Sequence, residues 1–195
     1  MSQYSWPVKT GTDSPWAYQI GYFSSDDCDL IIEQGLALER MQAHLGAERQ
    51  VDRSVRSTSI GFYNNQDPQH HWLFVRIEQA VRSINRDFWN FTIDELECLQ
   101  FASYDQVGDF YTAHMDMRPD PLRMRKLGIS VQLSEPDSYQ GNDLRLYRFG
   151  DRWDLAPRDR GSIVVFPSYL IHEVTPLITG TRLSLVSWAQ GPAFR

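Results

Sequence analysis

Apolar and polar positions alternate along this chain with two different periods. Ser24 or Ser25 followed by Asp26 and Asp27 offers a hydroxyl cap and early carboxylates to the free N–H groups of a helix start, and the spacing behind them predicts a helix to about residue 46. A second stripe, Leu73, Ile77, Ala80, Val81, Ile84 and Phe88, predicts a helix over about 69–88. After Leu96 the pattern changes to short runs separated by turn residues: ECLQFASY, DFYTAHMD, KLGISVQL, NDLRLYRF, GSIVVFPS and TRLSLVSW. Such runs, rich in β-branched and aromatic residues, predict a sandwich or jelly roll rather than βαβ units. The expected architecture is mainly β with flanking helices (α+β): a helix-and-strand buttress over about 1–95 and a β core over about 96–190, in one domain spanning 1–195.

Composition narrows the function classes. A chain of 195 residues can bury a core without staples. With 42% hydrophobic residues it still has no run near the ~18 apolar residues that a membrane span needs. The start MSQYSWPVKTG has no apolar stretch behind a basic residue, so a cytoplasmic protein is expected. Cys28 and Cys98 fall in helix and strand patterns and read as free buried thiols. A net charge of −6 argues against nucleic acid, and leaves a polypeptide or a small molecule as the partner.

Against that background stands His114-Met115-Asp116. On a strand, residues two apart share a face, so the imidazole and carboxylate would project together. One H-x-[DE] match is weak, since this composition yields about half of one by chance. His172 and Arg182 strengthen it. Two imidazoles and a carboxylate on adjacent strands of a β barrel form the facial triad of non-heme Fe(II) oxygenases, which leaves three coordination sites open. Arg182, Ser184, Val186 and Trp188 would share one strand face, and a buried guanidinium there needs an anion such as the distal carboxylate of 2-oxoglutarate. The same three ligands also suit zinc. Arg182 separates the two readings, because zinc hydrolysis has no need of it.

Three blocks carry a resemblance: YDQVGDFYTAHMD, VQLSEPDSYQGNDLRLY and FPSYLIHEVTPLITGTRLSLVSW, with fainter likeness in VRSTSIGFY and SINRDFWNF. Together they resemble the 2-oxoglutarate/Fe(II)-dependent dioxygenases, specifically the prolyl 4-hydroxylase-like and PKHD-type hydroxylases. The resemblance implies a double-stranded β-helix (jelly-roll) core. It makes His114, Asp116 and His172 the iron ligands, Arg182 the anchor of 2-oxoglutarate with Ser184 assisting, and Tyr104 and Gln132 further co-substrate contacts. It implies Fe(II), 2-oxoglutarate and O2 as cofactor and co-substrates. Because Asp116 is kept, it also implies hydroxylation rather than halogenation. The expected substrate is peptidyl-proline in a protein or peptide, with a free amino acid or other small molecule as the alternative, and Tyr111, Arg118, Arg123 and Trp188 are candidates to touch it. One departure is Gly141-Asn142, where the family pattern has two glycines.

Other motifs read more plainly. His70-His71 would diverge on a helix start and reads as a solvated pair. Arg118, Arg123, Arg125 and Lys126, around Pro119 and Pro121, read as a solvated basic loop over 117–126, or else a lid that recognises substrate. Tyr63-Asn64-Asn65 and RSTSIGF are candidates for the opposite wall of the pocket.

Overall fold

Ser24 caps the first helix. Its hydroxyl accepts from the Asp27 N–H at 3.1 Å while the Asp27 carboxylate accepts from the Ser24 N–H at 2.9 Å, the reciprocal arrangement that satisfies two free donors at once. In this computed structural model, which describes residues 15–43, 54–117 and 124–193, helix α1 (Ser25–Ala37) stops well short of residue 46. Leu38 takes an extended backbone, so the chain leaves the helix and enters a short strand instead. Helix α2 (Pro68–Phe88) starts as expected, with Asp67 as cap and Pro68 in the first turn, where its missing N–H has no cost. Its stripe is buried from Leu73 to Ile84, but Phe88 at the last turn is exposed.

The rest of the chain is mostly β. Eight strands form one antiparallel sheet: β1 (Ala17–Gln19), β12 (Ile163–Pro167), β8 (Arg125–Gln132), β15 (Arg182–Gln190), β6 (Gln100–Tyr104), β4 (Ser59–Phe62) and β2 (Met41–Gln42) in that order, with β5 (Glu95–Leu96) also on β15. Five form a second: β11 (Trp153–Leu155), β10 (Leu144–Tyr147), β13 (His172–Val174), β7 (Phe110–His114) and β3 (Arg56–Ser57). A short pair joins β14 (Leu177–Gly180) to β9 (Tyr139–Gly141).

Period-two alternation divides the labour of the central strands. On β8 and just beyond it, Leu127, Ile129, Val131 and Leu133 enter the main core with Leu73, Ile77 and Val81 of α2, and so do Leu185 and Ala189 of β15. The intervening residues, Ser130 on β8 and Arg182, Ser184, Val186 and Trp188 on β15, line a pocket on the opposite side. The large sheet therefore carries helices on one face and the site on the other. α1 lies close against it: a Cβ added to Gly35 would stand 2.3 Å from the Phe101 ring, so only glycine admits this approach. Of the two thiols, Cys28 is buried in this core and Cys98 is exposed, contrary to the expectation for both. Among the described residues, no helix is long and apolar enough to cross a membrane.

Candidate functional site

Strand pairing sets the first two candidate ligands side by side. His114 closes β7 and His172 opens β13, and the two are register partners across the antiparallel pair, with ring centroids 4.2 Å apart. Asp116 does not lie on the strand, as the two-residue spacing predicts; β7 ends at His114. The next turn holds it instead, because the N–H groups of Asp116 and Met117 both donate to the Ser168 carbonyl at 2.9 Å. The carboxylate still arrives between the imidazoles, with Oδ1 3.8 Å from His114 Nε2 and Oδ2 3.5 Å from His172 Nε2.

Each imidazole is oriented by its own backbone. His114 Nδ1 lies 2.7 Å from the Thr112 carbonyl and His172 Nδ1 3.0 Å from the Leu170 carbonyl. A carbonyl can only accept, so Nδ1 carries the proton and Nε2 presents a lone pair toward Asp116. Backbone hydrogen bonds of this kind are how metal-binding histidines are fixed in one tautomer. The three ligand atoms lie within 4.8 Å of one another, close enough to share one ion. This donor set, two neutral nitrogens and one carboxylate oxygen lining one pocket, fits a divalent transition metal.

The pocket lies between the two sheets. Arg56, Tyr111, Leu144 and Val174 line it from the smaller sheet, and Tyr104 and Phe166 join the β15 face from the larger. A larger surface cleft, about 330 Å3, runs between α2 and β5, but the His/Asp/His group is not in it. Tyr111 stacks on His114 with centroids 3.6 Å apart, and Phe166 covers His172 at 4.5 Å. Arg182 is 4% exposed; its Nε donates to Gln132 Oε1 at 3.0 Å, and Nη1 reaches Asn142 Oδ1 at 3.5 Å. Those two partners are neutral amides, so the guanidinium keeps its full charge and further N–H groups for an anion.

No protein-family model matches the chain. Over 89 residues it is 33% identical to a PKHD-type hydroxylase of Shewanella baltica, a stretch covering 44% of this chain and 39% of that relative. A PKHD-type hydroxylase of Thermosynechococcus vestitus is 33% identical over 97 residues, 47% of this chain and 42% of its own length. The matched part thus spans about two fifths of these relatives. A prolyl 4-hydroxylase of Pseudomonas putida superposes over 91% of this chain and 93% of its own, with a TM-score of 0.70 at 23% identity. The fold is that of a prolyl 4-hydroxylase. A prolyl hydroxylase of Trichoplax adhaerens, solved with a peptide fragment of hypoxia inducible factor, gives a TM-score of 0.76 over 90% of this chain and 83% of its own, at 16% identity.

Within this fold, the remaining expectations divide. Tyr104, Ser184, Tyr111 and Trp188 do line the pocket. Gln132 does not; it stands behind Arg182, held by Nε2 donation to the Ser134 carbonyl and the Tyr139 hydroxyl. The Gly141-Asn142 turn survives its asparagine, with φ of 71° and 53° at the two residues. Asn142 Nδ2 donates to the Asp109 and Thr175 carbonyls, which aims its oxygen at Arg182.

The basic loop is corrected at its C-terminal end. Arg125 and Lys126 belong to β8: Arg125 makes a two-pronged pair with Glu97 at 2.6 Å and lies 3.6 Å from the Trp188 ring centre, while Lys126 is buried, which pushes its ammonium below the usual range. Neither is solvated or free to recruit a ligand. Arg118, Arg123 and the two prolines lie outside the described residues. His70 is also no solvated residue, since it packs edge-on against Tyr63 and accepts from the Asn64 N–H; only His71 is exposed. Tyr63 lies in the core with its hydroxyl donating to the Ile31 carbonyl, so it forms no wall of the pocket. Of the stretch RSTSIGF, expected as a wall of the pocket, Arg56 does line it. Sequence reasoning missed Gly128, whose absent side chain makes room for Phe166 and Asp116.

Proposed function

We propose that the chain is an Fe(II)- and 2-oxoglutarate-dependent hydroxylase, with the two facing sheets as the layers of a double-stranded β-helix. The observation that carries this reading is the meeting of His114, Asp116 and His172 with the buried guanidinium of Arg182, whose hydrogen-bond partners among the described residues are neutral amides, in one pocket. A zinc hydrolase has no use for the arginine, and a dicarboxylic co-substrate does.

His114, Asp116 and His172 would hold the iron through Nε2, a carboxylate oxygen and Nε2. Iron and 2-oxoglutarate would supply the oxidation: one O2 is consumed, 2-oxoglutarate is split to succinate and CO2, and the second oxygen atom enters a substrate C–H bond. Arg182 binds the distal carboxylate, with Ser184 beside it on the strand and Tyr104 as its register partner on β6. Gln132 acts through Arg182, fixing its Nε so that the terminal nitrogens face the ligand. Phe166, Val174 and Leu144 keep the cavity apolar around the reacting centre, which shields it from water.

The substrate is peptidyl-proline, a reading supported by the hydroxylase likeness in sequence and fold, with a free amino acid as the alternative. The deciding measurement is anaerobic: with Fe(II) and 2-oxoglutarate the protein develops the weak visible charge-transfer band of a 2-oxo acid chelated to iron. Absence of that band with metal demonstrably bound overturns the assignment. His114→Ala, Asp116→Ala and His172→Ala each abolish it while the far-UV spectrum is kept. Succinate release over a panel of prolyl peptides and free amino acids then separates the two substrate classes.

A further inference from the structure

We infer that Arg56 is the anchor for a carboxylate of the substrate itself. The inference rests on the hydroxylase reading in naming that ligand as substrate and in assigning the carboxylates of the co-substrate elsewhere.

Arg56 sits on β3, the edge strand of the smaller sheet, opposite Tyr111. Its side chain reaches the same pocket as His114, Asp116 and His172, yet the residue is only 8% exposed. The guanidinium carbon lies 4.7 Å from the centre of the Tyr111 ring, and that ring stacks on His114. Arg56 thus rests on the aromatic layer directly behind one of the candidate metal ligands.

What the guanidinium lacks is an anion. Its Nε is buried with no hydrogen-bond partner, and no ion pair or side-chain hydrogen bond satisfies Arg56 among the described residues. Arg125, packed on the pocket residue Trp188, shows the usual solution, being matched by both oxygens of Glu97. Tyr111 offsets part of the burial cost of Arg56 by attraction to its ring face, but leaves the Nε–H unmet. A buried cation in this condition carries a cost that something brought into the pocket with a negative charge would relieve.

The co-substrate does not supply it, because both its carboxylates are already assigned, one to Arg182 and one to the metal. The remaining source is the molecule to be hydroxylated. Its class is therefore a carboxylate-bearing substrate: a free amino acid held by its α-carboxylate, or a peptide with an acidic side chain beside the reacting residue. Arginine matches a carboxylate with two parallel N–H donors, so it would also fix which C–H faces the metal.

Two readouts on Arg56→Met test this. In the ligand-free protein, removing an unmatched buried charge leaves the melting temperature equal to the wild type or higher; a fall of several degrees would mean that Arg56 is a structural residue and would overturn the inference. By calorimetry, the wild type is titrated with two acid and amide pairs, N-acetyl-L-proline with its amide, and N-acetyl-Pro-Glu-amide with N-acetyl-Pro-Gln-amide. The wild type binds one acid at least tenfold tighter than its amide, and the variant binds the two alike. Which pair responds distinguishes an α-carboxylate from an acidic side chain. No preference in the wild type, or a preference that survives in Arg56→Met, overturns the inference. So does a loss of 2-oxoglutarate affinity in the variant, which would place Arg56 in the co-substrate site. These titrations need no turnover, so they fail or succeed independently of the charge-transfer band that tests the hydroxylase reading.

Discussion

Gly128 stands directly behind the carboxylate of Asp116: a Cβ built there would lie 2.8 Å from Asp116 Oδ2 and 2.5 Å from the Phe166 ring. The strand that carries Arg125 and Gln132 thus leaves one position empty so that a turn from the other sheet can bring its acid in. Gly128→Ala is expected to push the carboxylate or the ring aside. Contacts that orient ligands typically control metal affinity by 10–100-fold. Fe(II) or Mn(II) titration should show a loss of about tenfold, with the melting temperature lowered by less than in a core deletion. Unchanged metal affinity would show that Phe166 absorbs the methyl group alone.

Arg182→Ala separates the metal from the co-substrate. Removing one partner of a charge-assisted pair in a dry pocket costs about 2–5 kcal/mol. Affinity for 2-oxoglutarate should fall by roughly 30-fold or more on that scale, with metal affinity kept within about twofold. Ser184→Ala should cost about 1 kcal/mol, the value of one hydrogen bond.

Asn142 makes a graded version of the same test. It is fully buried and ties two backbone carbonyls to Arg182 Nη1. Glycine accepts its positive φ without strain, so Asn142→Gly should fold while losing the brace. The expected loss in 2-oxoglutarate affinity is about 1 kcal/mol, or roughly fivefold, with no change in metal binding. A loss as large as that of Arg182→Ala would mean that Asn142 touches the ligand directly.

The two thiols should behave differently. Cys98 is exposed and should react promptly with a thiol reagent, whereas Cys28 should react only on denaturation. Burial is the main cause that pushes the Cys28 thiol up to about 11 from 9.0. The folded state therefore holds this proton more tightly than the unfolded chain does. Its contribution to stability is complete below about pH 9 and is lost as the pH rises toward 11. Denaturant melts between pH 8 and 9 should show a downward slope that is shallower in Cys28→Ala; Tyr63, also shifted upward by burial, adds its own slope only as the unfolded tyrosine ionises nearer pH 10. An equal slope in both proteins would rule out Cys28 as its source.

The sequence by itself determined what local chemistry determines. Ser24 with Asp27, and Asp67 with Pro68, specify helix starts through donors that must be met within a few residues. Alternation in KLGISVQL and TRLSLVSW specifies two-faced strands, and so puts Arg182, Ser184 and Trp188 on one side. The candidate ligands and Arg182 were legible because their spacing and residue types are unusual together. The tertiary structure decided the rest, because the deciding contacts cross long stretches of chain. Asp116 reaches the two histidines through the Ser168 carbonyl, 52 residues on, and not through strand alternation. α1 ends at Ala37 because the chain must turn into the edge of the large sheet, which outweighs the helical pattern beyond it. Arg125 and Lys126 read as a solvated loop until Glu97 and the core of β8 claim them. Arg56 opens the stretch RSTSIGF that the sequence offers as a pocket wall, but only the packing of β3 against β7 buries it over Tyr111 with no anion beside it among the described residues.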